Sequence, residues 1–559
     1  MATCRNFAYF AISLVGRYRA LLISSYLLLA FLQPTRANFL DSCLAFAPTT
    51  IVKNAELKEH SFVSSGTNLT FPNHDATCNR PSQIVLADLC RVALHIPTSS
   101  RSNVVLELWL PEAWNGRLLT VGNGGLDGCV HYEDLAYAST HGFAVVGTNN
   151  GHNGTSGIQF LNNEDVVIDF AWRAIHVAVA TGKALLGPFY NSTTQAKSYY
   201  LGCSLGGRQG IKAADMFPDD FDGIVAGAPA VDFNNLYSWR ARFFPITGNV
   251  NSSDFITPTL WQTTIHDEVL RQCDKLDGVA DGIIEDPTLC YFNPETLSCG
   301  NGGNGATINS TLCLTPTQIQ TIHKVFSPTL WPNGTFFFPR MNPGSEILAA
   351  VGLYNGLPWP YSQNWFRYAI YNDPNWDPAS YTLVKDGAFA GTLNPGDIGT
   401  WPSNLSSYQQ RGGKIIMFHG QQDNQITSFH TPIFYDRLGQ GMGYSVEQMD
   451  KFLRFFRISG MFHCSTGPGA WVIGQGGGAS SLQDNVAYES EHNVLAAIVD
   501  WVELGAPPDT ITGTKFVNDT ADLGVAFQRR HCRWPKRNVF VGGERDPSSP
   551  DSWKCITIS

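Results

Sequence analysis

The chain has no C-x-x-C pair, no unbroken basic run, no internal repeat and no Pro-rich or Ser-rich linker. Each absence narrows what it can be. Without closely spaced cysteine pairs, a structural zinc site is a poor reading. A net charge of −10, only 15% charged residues and the lack of a basic run argue against a nucleic-acid partner, since the surface should repel phosphate. Without a linker, 559 residues read as one large core carrying an insertion rather than as separate beads. The one membrane-like stretch, Ala20 to Leu32, is too short to span a bilayer comfortably, follows Arg17 and Arg19, and ends at Pro34. It reads as a secretory signal over residues 1–37 with cleavage after Ala37, although a second apolar stretch from Phe7 to Val15 makes it long and a signal-anchor is the alternative. No stable membrane association of the mature chain is expected.

Cysteine is present in number. Of 13 cysteines, Cys4 falls in the expected signal, which leaves an even set suited to six disulfides in an oxidising compartment. Spacing alone leaves the connectivity open. Sequons at Asn68, Asn153, Asn191, Asn251, Asn309, Asn333, Asn404 and Asn518 fit an exported glycoprotein.

The most informative segment is Gly202-Cys203-Ser204-Leu205-Gly206. With 53 glycines in the chain, a G-x-S-x-G pattern carries little weight alone, so its surroundings decide. Ser198 to Leu201 reads as a strand and Ile211 to Met216 as a helix, and a strand, sharp turn and helix make a nucleophile elbow. A serine hydroxyl needs a base to take its proton and a third group to orient that base. In an α/β-hydrolase these follow in the order Ser, Asp or Glu, His. Gly413 to Phe418 reads as a buried strand that delivers Asp423, and Phe452 to Ile458 as a strand that breaks at Ser459-Gly460 and delivers His463. Ser204 as nucleophile, Asp423 as orienting carboxylate and His463 as general base and acid are the expected triad. The competing readings make Asp423 a loop cap with His419 as its partner, and His463 a structural histidine. His176 and His492 lie in helical patterns and are read as packed or surface residues.

Cys203 adjoins Ser204 and Cys464 adjoins His463, so one bridge between these cysteines would hold nucleophile and base side by side. Upstream, Arg117 to Val121 reads as a strand that delivers Gly122-Asn123-Gly124-Gly125. Backbone N–H groups in a glycine loop can approach a developing oxyanion without side-chain obstruction. Gly124 or Gly125, with the N–H of Leu205, is the expected oxyanion hole, and a plain glycine turn is the alternative.

After Gly223 to Ala226 the alternation of helix and strand fades until Lys414, so residues 230–395 are read as a lid. Within it Asp274-Lys275-Leu276-Asp277-Gly278-Val279-Ala280-Asp281-Gly282-Ile283 supplies three carboxylates as hard oxygen ligands, with glycines that let the chain wrap a cation. Calcium is the natural candidate, although the spacing is not that of an EF-hand and an acidic solvated turn is the alternative. Trp359, Tyr361, Trp365, Phe366, Tyr368, Tyr371 and Trp376 are read mainly as core, and none is assigned to binding.

Tyr199 to Gly210, Phe217 to Gly223, Gly122 to Gly125, the His419-Gly420 to Asp423 segment and Ile458 to His463 together resemble the fungal tannase and feruloyl esterase family. The likeness runs from about Cys43 to Cys555. It implies an α/β-hydrolase fold, with residues 38–229 and 396–559 as the catalytic domain and 230–395 as an inserted lid domain. It also implies carboxylic ester hydrolysis through an acyl-enzyme, with no organic cofactor. The same resemblance implies the pairs Cys43 with Cys90, Cys78 with Cys129, Cys203 with Cys464, Cys273 with Cys290, Cys299 with Cys313, and Cys532 with Cys555. It places structural Ca2+ at Asp274, Asp277 and Asp281 with the carbonyls of Val279 and Ile283. The implied substrate is a small aromatic ester or feruloylated polysaccharide, closest to the feruloyl esterase branch. Tannase action on galloyl esters and an esterase of secondary metabolism are the alternatives, and a silent carbohydrate-binding protein is the one of another class.

Overall fold

Residues 38–299, 313–479 and 481–557 are described in the computed structural model. The expected signal, with Cys4 and the Phe7 to Val15 stretch, lies outside them, as does Asn309.

Runs in which nearly every residue is apolar form the centre of the fold, because a strand covered on both faces has no side left for water. Nine strands are involved: β1 (Glu56–Val63), β2 (Leu89–Pro97), β3 (Asn103–Pro111), β4 (Arg117–Val121), β5 (Ala144–Thr148), β6 (Lys197–Cys203), β7 (Gly223–Gly227), β8 (Lys414–Gly420) and β9 (Leu453–Ile458). They make one sheet in the order β1-β2-β3-β5-β4-β6-β7-β8-β9. β1, β2 and β3 run antiparallel, as does the β3–β5 pair, and from β5 to β9 the pairing is parallel throughout. Every residue of β5, β7 and β9 is buried.

Adjacent residues in these strands face opposite layers, as a period of two demands. Leu119, Tyr199, Val225, Ile416 and Phe456 pack on one face against α1 (Tyr132–Thr140) and the late helix α5 (Val494–Leu504). Their neighbours Leu118, Tyr200, Ile224, Ile415 and Phe455 pack on the other, against α2 (Ala174–Tyr190), α3 (Leu205–Met216) and α4 (His430–Met442). This is the α/β-hydrolase fold expected. His176 lies within α2, but His492 sits in a turn ahead of α5, not in a helix. Asn493 follows it and ends the turn by accepting the N–H groups of Leu495 and Ala496 as the helix cap. Among the described residues, no helix is long and apolar enough to cross a membrane.

Between the end of β7 at Gly227 and the start of β8 at Lys414, the chain builds a second core of its own. Trp239, Trp261, Phe338, Tyr354, Trp365 and Phe366 are fully or almost fully buried there, and Phe160, Phe170 and Leu205 from the sheet side join the same cluster. The aromatic stretch is therefore core at Trp365, Phe366 and Trp376, with Trp359, Tyr361, Tyr368 and Tyr371 packed part-exposed around it.

A buried charged network ties this region to the sheet. Arg529, on the hairpin strand Val525–Cys532, donates to Glu285 Oε2 at 2.6 Å and to Asp281 Oδ2 at 2.8 Å, and its guanidinium lies 3.7 Å above the Trp553 ring. Glu285 also accepts from the Ser459 hydroxyl and from Asn538, while Asp286 accepts from Arg457 of β9 at 3.0 Å. Removing one member of such a buried set strands the others without a partner, at a cost of about 3–5 kcal/mol. Arg529→Met is expected to lower stability by that amount, measured as the shift of a denaturant unfolding midpoint. A change under about 1 kcal/mol would mean that the network adds nothing beyond packing.

Candidate active site

Three strand ends converge on one spot. β6 ends at Cys203 and α3 begins at Leu205, so Ser204 alone makes the turn, with φ 63° and ψ −120°. That conformation is costly for a residue with a side chain and persists only because its surroundings hold it. The Ser204 amide donates to Gly227 O at 2.9 Å, and its carbonyl accepts from Arg208 and Ala230. The flanking glycines answer to contact distances. A Cβ on Gly202 would lie 2.8 Å from the Gly206 backbone, and one on Gly206 would lie 3.0 Å from Asn123 O.

His463 comes from the loop after β9. Its Nε2 lies 2.8 Å from Ser204 Oγ, and its Nδ1 lies 2.7 Å from Asp423 Oδ2. Asp423, on the loop after β8, is fully buried. Its Oδ1 accepts the N–H groups of Gln425 at 2.7 Å and Ile426 at 2.8 Å, and its Oδ2 also faces His419 Nε2 at 3.1 Å. Burial pushes this carboxyl up, but the His463 imidazole and the hydrogen bonds from His419 and His463 outweigh it and hold it well below the usual carboxylate range. Asp423 is thus a loop cap, a partner of His419 and the group facing His463 all at once, so readings that compete in sequence coexist in space. The two loops are stitched together by Gln421 N to Ile458 O at 2.9 Å and Gln422 N to Met461 O at 2.9 Å.

Cys203 and Cys464 are bonded, with Cα atoms 6.1 Å apart across a separation of 261 residues. The other five implied pairs are present as well. The chain-entropy treatment gives roughly 5 kcal/mol for closing so long a loop, an upper figure because real bridges usually deliver less.

The glycine loop divides its tasks. The Gly124 amide points to Asp127 Oδ1 at 3.3 Å, which leaves it poorly placed as an oxyanion donor. The amides of Gly125 and Leu205 have no acceptor among the described residues. Gly125 has φ 56°, and a Cβ there would come within 2.7 Å of the Tyr361 ring. Gly125 with Leu205 is therefore the pair the geometry favours for a developing negative charge.

These groups border an open cleft of about 580 Å³. Tyr361 and Gln425 line it near the glycine loop, and Arg80, Asp127, His131, Glu133 and Asp134 form a charged wall. Burial and nearby Arg80 disfavour a proton on His131, but the hydrogen bonds with Asp127 and Asp134 outweigh them and raise it to about 10. None of this wall, nor Tyr361, stands out in the sequence. The wall is assembled from segments more than forty residues apart, and Tyr361 is one of many aromatics. Only the Asp127, His131 and Asp134 spacing on and before α1 offered a signal.

The acidic turn lies outside the cleft. Asp274 accepts N–H groups of Asp281 and Gly282, Asp277 Oδ1 accepts that of Val279, and Asp281 Oδ1 that of Ile283. Asp277 Oδ2 is buried without a partner. Burial, opposed by the Val279 N–H and reinforced by Glu285 and Asp281, pushes Asp277 up to about 7. An orphaned buried carboxylate oxygen among further carboxylates is a donor set that suits a hard cation.

A serine at a strained elbow, an imidazole on its hydroxyl and a buried carboxylate behind it define a serine hydrolase of α/β-hydrolase architecture. The tannase and feruloyl esterase family model matches residues 90–556, and the chain belongs to that family of carboxylic ester hydrolases. It is 55% identical over 497 residues to "Probable feruloyl esterase B-2" of Aspergillus flavus, covering 89% of this chain and 93% of that one. A protein of the same name from Neosartorya fischeri is 46% identical over 518 residues, 93% of this chain and 96% of the other. Among solved structures, feruloyl esterase B from Aspergillus oryzae superposes with a TM-score of 0.86 at 44% identity, covering 93% of this chain and 100% of that one. Tannin acyl hydrolase from Aspergillus niger shares the fold, with a TM-score of 0.70 at 19% identity over 92% of this chain and 94% of that one.

If the bridge holds Ser204 and His463 in register, Cys203→Ala with Cys464→Ala should lower stability by about 2–5 kcal/mol. The kcat should fall at least tenfold while KM changes little, as steady-state kinetics on any accepted ester would read. A folded double variant with parental kcat would show that the bridge serves stability alone.

Proposed function

We propose that this protein is an exported serine esterase that cleaves hydroxycinnamoyl, feruloyl-type esters of plant cell-wall material through an acyl-enzyme. The observation that carries the chemistry is the 2.8 Å approach of His463 Nε2 to Ser204 Oγ, backed by Asp423. The choice of acyl group rests on the proteins named feruloyl esterase B that this chain resembles at 44–55% identity. Six disulfides support export, since such bonds persist in oxidising compartments.

In the proposed cycle His463, oriented by Asp423, takes the Ser204 proton as Oγ attacks the ester carbonyl. The N–H groups of Gly125 and Leu205 receive the oxyanion, with Gly124 held aside by Asp127. His463 then gives its proton to the departing alcohol, and an acyl-serine remains. Water enters, His463 takes its proton, and the second tetrahedral intermediate collapses to free acid and Ser204.

A calcium ion in the acidic turn is part of the same proposal, held by Asp274, Asp277 and Asp281 with the carbonyls of Val279 and Ile283. Bound there, it would neutralise the clustered carboxylates and brace the loop. Asp281 and the neighbouring Glu285 and Asp286 join that loop to Arg529, Ser459 and Arg457.

Three measurements test these readings. Ser204→Ala should reduce kcat on methyl ferulate by about 10⁴-fold or more, and unimpaired hydrolysis would sink the assignment. Specificity constants for methyl ferulate or methyl caffeate should exceed those for methyl gallate and a simple aliphatic ester by at least about tenfold. Preference for the gallate would favour the tannase alternative, and a flat profile would count against both. For the cation, chelation should lower the unfolding midpoint, and calcium at a hundredfold excess over Kd should restore about 2.7 kcal/mol. A midpoint indifferent to chelator and calcium would remove the ion from the account.

A further inference from the structure

We infer that His419 is a positioning residue of the catalytic machinery: a second imidazole that donates to the same Asp423 oxygen as His463 and fixes the direction in which that carboxylate serves the base. The inference rests on Ser204, His463 and Asp423 as the working triad.

His419 is the penultimate residue of β8, four positions before Asp423, and both side chains are fully buried. Its Nε2 lies 3.1 Å from Asp423 Oδ2 and 3.0 Å from the Ile426 carbonyl. The Ile426 carbonyl can only accept, and so can the Asp423 oxygen when ionised, so Nε2 carries the hydrogen. Nδ1 faces the Thr431 hydroxyl at 2.7 Å, which can donate to it. The uncharged ring, protonated at Nε2, therefore satisfies every contact without a second positive charge.

Two further basic side chains lie beside this pair. His430, next to Thr431 at the start of α4, is stacked against Phe338 and Trp401, and burial brings it down to about 3. Arg240, from the helix Phe233–Ala241, faces the same loop, where its Nε donates to the Gln425 carbonyl at 2.8 Å. No carboxylate other than Asp423 is hydrogen-bonded to His419 among the described residues.

The consequence for Asp423 is a complete set of donors. Oδ1 takes two backbone N–H groups, and Oδ2 is shared between the two imidazoles. With every donor in place the carboxylate cannot swing about its Cβ–Cγ bond, and Oδ2 stays directed at His463 Nδ1. Without the His419 donor, Oδ2 gains basicity and rotational freedom together. The catalytic imidazolium is then held more tightly but less well aimed.

Two amide substitutions separate this role from space filling. In Gln the terminal nitrogen falls close to where His Nε2 stood, whereas in Asn it falls near the Nδ1 position and stops short of Asp423. His419→Gln is expected to keep kcat within about threefold of the parent, with an unchanged pH profile. His419→Asn is expected to lose at least tenfold in kcat with KM within about twofold. The acid limb of its kcat/KM profile, which titrates the catalytic base, should move to higher pH by roughly half a unit. Equal kcat and equal acid limbs in the two variants would overturn the inference, because a merely structural polar side chain would serve at either length. If His419→Asn does not fold, Thr431→Val decides instead. It leaves the imidazole but releases Nδ1, and a displaced acid limb supports the inference while a parental one overturns it. Ser204→Ala run alongside keeps the outcomes apart. Retained activity there removes the triad itself, whereas an inert Ser204→Ala with a parental His419→Asn removes only the role of His419.

Discussion

A carboxylate sealed from water is the constraint around which the site is arranged. Burial of Asp423 favours its neutral form, yet the imidazoles and hydrogen bonds around it hold the carboxyl well below the usual range. The fold meets this by surrounding the group with donors drawn from the loop after β8, from β8 itself and from the loop after β9. Those loops must in turn stay in register, which the backbone bonds from Gln421 and Gln422 to the β9 side accomplish. The strained Ser204 elbow then presents its hydroxyl to an imidazole whose direction is already settled. The arrangement of the two loops and both imidazoles serves to keep one buried charge ionised and still.

The same loop region meets the insertion between β7 and β8 through a second set of buried charges. Glu285 receives the hydroxyl of Ser459, and Asp286 receives Arg457, which places acidic groups of the inserted segment against the strand and turn that carry His463. Glu285 and Asp286 each have a cation within reach, while one oxygen of Asp277 and one of Asp286 have no hydrogen-bond partner. The segment between β7 and β8 and the sheet are thus joined by polar contacts with fixed directions as well as by the aromatic cluster.

What could be read from the sequence was local in origin. The elbow at Ser204, the strands that deliver Asp423 and His463, and the gap in helix-strand alternation before Lys414 all declare themselves within a few residues, because turn geometry and periodicity are short-range properties. Features that depend on distant segments meeting were hidden. Nothing near Gly124 indicates that Asp127 occupies its amide, and nothing near Tyr361 separates it from the aromatics that became core. His492 reads as helical because apolar periodicity begins beside it, but Asn493 starts the helix one residue later. His419 and His463 looked like rival partners for Asp423 because a sequence cannot express one oxygen shared by two rings.

The Cys203–Cys464 bridge has a topological consequence beyond holding two residues together. Everything between them, including the whole of residues 230–395, lies within a closed covalent ring. A single backbone cut anywhere in that segment yields two polypeptides that cannot part, and the ends that carry Ser204 and His463 remain fastened. The segment between β7 and β8 can therefore be nicked once without separating Ser204 from His463.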